Sequence, residues 1–160
     1  MTSTAATVDG RVVALAHYAS RAVLERVLAG HGLTFQQSVA LRVLAVADGP
    51  VERDEVVHQV VGFLKVEPVG IRAVVEELLS AGLVETDPQR PSHLRVTDAG
   101  REAFARSAAE TAPVSARIYA GIPTEDLLTA GRVLTLVTER ANAELAAATP
   151  GAEAVGEAVE

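Results

Sequence analysis

The side chains able to do chemistry are few in kind. Thirteen arginines stand against a single lysine, Lys65, beside four histidines and no cysteine. The absence of cysteine excludes a disulfide scaffold, a thiolate nucleophile and any cysteine-held zinc or iron–sulfur centre. His17, His31, His58 and His93 never stand four residues apart, and none is followed by glutamate at that spacing, so no helical metal pair is expected. No Gly-x-Gly-x-x-Gly, phosphate loop or Gly-x-Ser-x-Gly elbow occurs, Ser38 and Ser92 have no evident base partner, and the acids are scattered. Neither catalysis nor a cofactor is expected. What remains is recognition. An arginine presents a planar fork of donors that can engage two acceptors at once. His17, Tyr18 and Arg21, within about one helical turn, have the chemistry of a carboxylate or phenolate contact.

Something must hold these groups in place. A chain of 160 residues can bury a real core as one domain of ordinary size. Hydrophobic residues make up 49% of it but aromatics only 3%, with no tryptophan, so the core must be alanine, valine and leucine. Such residues suit closely approaching helices. Asp9 precedes the first apolar run, which His17 interrupts and no positive flank introduces, so no signal peptide is read there. No stretch nears the roughly 18 apolar residues of a membrane span. A soluble, cytoplasmic chain without a membrane partner is expected.

Residues 1–9 read as a flexible N-terminus, and 149–160, which opens with Pro-Gly after Thr149 and carries three glutamates, as a disordered acidic tail. Between them helical periodicity dominates. A first helix runs from about Asp9 to Ala29, stopped by Gly30 and Gly32. Thr34-Phe-Gln-Gln37 is a capping box opening a second, which reaches Asp48-Gly-Pro50. A third, about Glu52–Val61, would bury Val56, Val57, Val60 and Val61, with Gly62–Val66 as a short connection. Pro68 suits the first turn of a fourth, which Gly82 ends as a left-handed stop. Its apolar positions include Ile71, Val74, Val75 and Leu78, leaving Arg72, Glu76 and Glu77 to other faces. Leu83–Asp87 and His93–Thr97 then read as two strands about a Pro-rich turn. Two helices joined tightly and followed by a hairpin give the order of a winged helix-turn-helix. Thr97 can cap a fifth helix, about Asp98–Ala120, which Pro113 should bend or break, and Thr124 a sixth. Apolar stripes on the first, fifth and sixth helices exceed what the winged module needs, and pairing with a second copy would turn them into a dimer core.

Three stretches carry a likeness. Val74-Val-Glu-Glu-Leu-Leu-Ser-Ala-Gly-Leu-Val84 looks like a recognition helix running into a Gly-Leu-Val strand, and Leu94-Arg-Val-Thr-Asp-Ala-Gly-Arg101 like the segment after a wing. Leu33-Thr34 with Gln37, Leu41 and Leu44 matches the opening of a second helix. In order and spacing these resemble the MarR family of bacterial transcription regulators, over about residues 10–147. The resemblance implies a mainly α fold: a winged helix over about 34–97 with a two-stranded β-wing, flanked by dimerisation helices at about 10–30 and 98–148. It implies a homodimer on a palindromic operator in double-stranded DNA, acting as a ligand-responsive transcriptional repressor. Carried over residue by residue, the exposed recognition-helix positions are Pro68, Val69, Gly70, Arg72, Ala73 and Glu76. Arg72 would engage guanine O6 and N7, Val69 and Ala73 would meet thymine methyls, and Gly70 would allow close backbone approach. Arg90 would enter the minor groove while Lys65, Arg53 and Arg95 position phosphates. His93 would touch phosphate or pack across the strands. A small aromatic or anionic effector would sit between dimer helices and winged module, near His17, Tyr18, Arg21 and Arg42. Alternatively Tyr18 packs at the dimer seam, Arg21 is solvated and Arg42 forms a surface ion pair.

The charge balance supports a rival. The formal net charge is −7, and residues 51–100 hold five basic and nine acidic side chains, a net of −4. Few cations give little salt-dependent attraction to phosphate. The wing arginine, Arg90, stands without the Asp-x-Arg bracing common in the family. A winged-helix dimer that has lost operator binding, acting through protein contacts or small-ligand binding, would suit Glu67, Glu76 and Glu77. The two readings differ in whether Arg53, Lys65, Arg72, Arg90 and Arg95 share a face free of those acids.

Overall fold

The structure, a computed structural model, describes residues 7–148. Most of the expected flexible N-terminus and all of the expected acidic tail lie outside the described residues. The elements are α1 (Gly10–Ala29), α2 (Phe35–Ala45), β1 (Val51–Glu52), α3 (Arg53–Leu64), α4 (Pro68–Ser80), β2 (Val84–Asp87), β3 (Arg90–Val96), α5 (Asp98–Tyr119) and α6 (Thr124–Ala148). They fall into two compact units, one reaching Ala116 and one starting at Arg117.

Local chemistry explains most boundaries. Asp9 accepts from the Val12 amide at 2.8 Å and starts α1. The capping box opens α2, with Thr34 Oγ1 accepting from the Gln37 amide and Gln37 Oε1 from the Thr34 amide. Glu52 caps α3 through its carboxylate, which accepts from the Glu55 amide at 2.9 Å. The helix then runs to Leu64, past the expected end at Val61. An interior glycine costs a helix only about 1 kcal/mol, and the extra turn packs Leu64 against the core. Lys65, at φ 54° and ψ 44°, ends it in the left-handed region.

The core of the first unit is aliphatic, as the composition demands. Leu28 and Leu33 pack with Leu41 and Leu44 of α2, Val56 and Val60 of α3, Ile71, Val74, Val75 and Leu78 of α4, and Val84, Leu94 and Val96 of the sheet. Each such side chain is worth roughly 1.5–3 kcal/mol relative to exposure. The sheet has three strands in the order β1-β3-β2, all antiparallel. Beyond the expected two-stranded wing, β1 adds Val51 opposite Leu94 and Glu52 opposite His93.

Two expectations need correction. Pro113 does not break α5, which is helical throughout. Pro113 and Ala109 are both exposed, so the carbonyl that loses its helical donor stays open to water. Thr124 is the first residue of α6 rather than its cap: the Pro123 carbonyl accepts from the amides of Asp126 and Leu127, both at 3.1 Å.

One junction ties the end of α4, the wing and the start of α5 together. Thr97 Oγ1 donates to the Gly82 carbonyl at 2.8 Å and accepts from the Gly100 amide at 3.0 Å. Arg101 donates to the Val96 carbonyl and to Asp98. A Cβ on Gly100 would lie 2.0 Å from the Leu83 carbonyl oxygen, so the backbone would have to part. Gly100→Ala should therefore destabilise the chain by about 1–3 kcal/mol, seen as a lower urea midpoint, whereas Ala99→Ser on the exposed side should leave the midpoint nearly unchanged.

Candidate nucleic-acid interface

Helix α4 owes its exposed face to its buried one. Ile71, Val74, Val75 and Leu78 fill the core, so Val69, Gly70, Arg72, Ala73, Glu76 and Glu77 point outward. Val69 is 72% exposed on this face. The left-handed Lys65 turns the chain sharply, and Pro68 opens α4 two residues after Val66. Lys65, Arg72 and Arg90 have no carboxylate partner among the described residues.

The other two expected phosphate cations are already engaged. Arg53 Nη1 donates to Glu76 Oε1, linking the start of α3 to the exposed face of α4. Arg95 Nε donates to Glu85 Oε1 at 2.7 Å across the β2–β3 pair. The expected discriminator thus comes out mixed, since Arg53, Arg72, Asp54 and Glu76 line one small cavity beside α4. Glu77, exposed on the same helix, is held elsewhere: its Oε2 accepts from Gln37 Nε2 at 2.8 Å.

At the wing the sequence missed a brace. Asp87 is only 7% exposed, and its Oδ1 accepts from the amides of Gln89 and Arg90 at 3.0 and 2.9 Å. The carboxylate shapes the turn through backbone amides, leaving the Arg90 side chain exposed at the tip. The Asp87-Pro88 pair, an aspartate hydrogen-bonding its own turn ahead of a proline, was the available signal. His93 is half-buried opposite Glu52, with Nδ1 3.0 Å from Ser92 Oγ.

The four expected effector residues do not gather. His17 and Tyr18 meet edge to face at 5.7 Å on the exposed side of α1. Arg21 pairs with Glu25 at 2.8 Å and lies over the Phe35 ring at 4.5 Å. Arg42 forms no ion pair among the described residues, contrary to that alternative, and instead lines a separate cavity of about 410 Å³ with α3 residues. Among the described residues no group of three or more metal-binding side chains converges, and no helix is long and apolar enough to cross a membrane.

No family model matches the chain, and no curated protein is similar enough in sequence to match it. Solved structures are similar. A MarR-family transcriptional regulator from a Rhodococcus species shares 20% identity at a TM-score of 0.67, over 80% of this chain and 90% of that one. CouR from Rhodococcus jostii, bound to p-coumaroyl-CoA, shares 19% at 0.67, over 80% and 89%. A Mycobacterium tuberculosis MarR-family protein in complex with DNA shares 22% at 0.63, over 82% and 98%.

The chain has the MarR fold. The Arg53–Glu76 pair lies on the outward face of α4. Glu76→Gln should free Arg53 and remove a repelling charge. Binding to any duplex should then tighten, and the salt slope should steepen by about one per protomer, measured by fluorescence anisotropy across a salt series. Weaker binding on one preferred sequence only would instead make Glu76 a base contact.

Proposed function

We propose that the chain is a sequence-specific DNA-binding transcriptional regulator, a repressor acting as a homodimer on a palindromic operator. Its winged module over about residues 34–97 would meet DNA, with flanking helices at about 10–30 and 98–148 serving dimerisation. The observation that carries this is the outward face of α4, where an unpaired Arg72 stands with Val69, Gly70 and Ala73 around it. That combination offers one guanine-reading fork, two methyl contacts and room for close backbone approach. The exposed Arg90 on a turn held by Asp87 supports a minor-groove role. A protein of the same fold in complex with DNA supports a DNA partner, and another bound to p-coumaroyl-CoA supports an effector.

Dimerisation is supported by apolar faces that the single chain leaves in water. Helix α1 exposes Val12, Leu15, Tyr18 and Val23; in the second unit, α6 buries nothing and exposes Leu128, Leu134, Leu136 and Val137. Apolar side chains left in water along a helix face are a mark of an interface. Leu134→Glu should convert a species of twice the chain mass to single chains in sedimentation and abolish tight DNA binding with it. Retention of the double mass would place the interface elsewhere.

The rival reading, a winged-helix dimer working through protein contacts or ligand binding alone, is favoured by the neutralised Arg53 and Arg95. Binding of the purified chain to its own upstream intergenic duplex, against a scrambled duplex at low and near-physiological salt, separates the two. Arg72→Ala should cost about 1–3 kcal/mol on the preferred duplex and relax one base position. Equal losses on scrambled DNA would remove Arg72 from base reading.

A further inference from the structure

Arg72 and Glu76 stand four residues apart on α4, the spacing at which a cation and an acid on one helix face meet and pair. Arg72 nevertheless has no carboxylate partner among the described residues, and Glu76 accepts instead from Arg53 of another helix. A small cavity of about 170 Å³ brings the competitors together: Arg53, Asp54 and Val57 of α3 face Arg72, Val75 and Glu76 of α4 around it. Two cations and two acids share that space, yet among the described residues the one ion pair formed there is Arg53 with Glu76. The next acid of α4 is engaged separately, since Glu77 Oε2 accepts from Gln37 of α2 at 2.8 Å.

Nothing in α3 itself asks for an arginine at position 53. Arg53 is the first residue of that helix, where the positive end of the dipole disfavours a cation, and Asp54 and Glu55 already supply the acids that suit the turn. Its guanidinium reaches across to α4 instead. Within α4 the order is arginine before glutamate, the weaker arrangement for a pair inside one helix. An arginine from outside the helix can therefore outcompete Arg72 for the carboxylate.

We propose that Arg53 is a positioning residue for Arg72: by occupying Glu76 it keeps the Arg72 fork unpaired on the outward face of α4. Without Arg53, Glu76 turns to Arg72, and a guanidinium that already holds a carboxylate has fewer donors left for the two acceptors of a guanine. The consequence for base reading rests on the regulator reading above; the competition for Glu76 does not.

The test compares the wild type with Arg53→Met, Arg53→Lys and the double variant Arg53→Met with Glu76→Gln. In the free chain, the Arg72 Nε–Hε resonance of isotope-labelled protein reports pairing directly. Exchange of that proton with water should slow about twofold in Arg53→Met, the scale of a pair within one helix. It should return to the wild-type rate in Arg53→Lys, which keeps a cation beside Glu76, and in the double variant, which removes the carboxylate. On DNA, the ratio of affinities for the upstream intergenic and scrambled duplexes should fall about twofold per reading surface in Arg53→Met and recover in the double variant. A plain phosphate contact by Arg53 would weaken both duplexes alike and leave that ratio where it was, which would overturn the proposal. An unchanged Arg72 exchange rate in Arg53→Met would overturn it with no DNA present. Slowed exchange that the other two variants reverse, in a chain whose wild type does not distinguish the two duplexes, would uphold the competition and remove the regulator reading instead.

Discussion

The outward face of α4 exists because four aliphatic side chains on the same helix have nowhere else to go. Ile71, Val74, Val75 and Leu78 follow the i, i+3, i+4, i+7 spacing of one helical stripe, and each is under 6% exposed. Turning the helix about its axis by even one residue would drive Arg72 or Glu76 into a core that offers no polar partner. An unpaired buried charge costs far more than any one interaction at the surface could offset. The rotational setting of α4 is therefore fixed by burial alone. The chemistry of Arg72, Val69 and Ala73 is a by-product of that setting.

Rotation alone does not place a helix; its ends must also be held. At the N-terminal end the left-handed Lys65 and the fixed φ of Pro68 leave the backbone little choice. At the other end Gly82 at φ 68° reverses the chain, and its carbonyl is taken by Thr97. Thr97 also caps α5, so one hydroxyl joins the exit of α4 to the entry of α5. The close approach of Gly100 to the Leu83 carbonyl shows how tightly those segments are drawn together. Motion in α5 would be transmitted to α4 through a contact with almost no slack.

Much of this was legible in the sequence because it is written in local patterns. The capping box at Thr34–Gln37, proline at the start of α4, Gly82 after its end and the hairpin turn each follow from one or two residue types. The missing β1 strand has only two residues, too few for any periodicity. The overrun of α3 past Gly62 was decided by tertiary packing of Leu64, which propensity does not see. Charge pairing was the least legible: Arg53 and Glu76 are 23 residues apart, and only the crossing of α3 and α4 brings them together. The same holds for the cavity of about 410 Å³, where Arg42 and Phe63 come from different helices and neither has a sequence neighbour that announces the other.

The pairs that neutralise Arg53 and Arg95 bear on how such a surface would discriminate. Both pairs are substantially exposed, with side-chain exposures of 37% and 62% for one and 45% and 48% for the other. Exposed pairs of this kind hold their geometry with about 0–1 kcal/mol, so phosphate can displace the carboxylate at little cost. The benefit is correspondingly small, because one ionic partner replaces another and a repelling glutamate stays nearby. General attraction to DNA is thereby kept low, as the net charge of −7 also requires. Non-specific binding draws on phosphate contacts almost entirely, whereas specific binding adds base contacts. On the regulator reading proposed above, weakening the first while leaving Arg72 unpaired would raise the ratio of specific to non-specific affinity. Were two copies to pair as proposed, two modest base-reading surfaces would bind a two-fold site far better than scattered single matches.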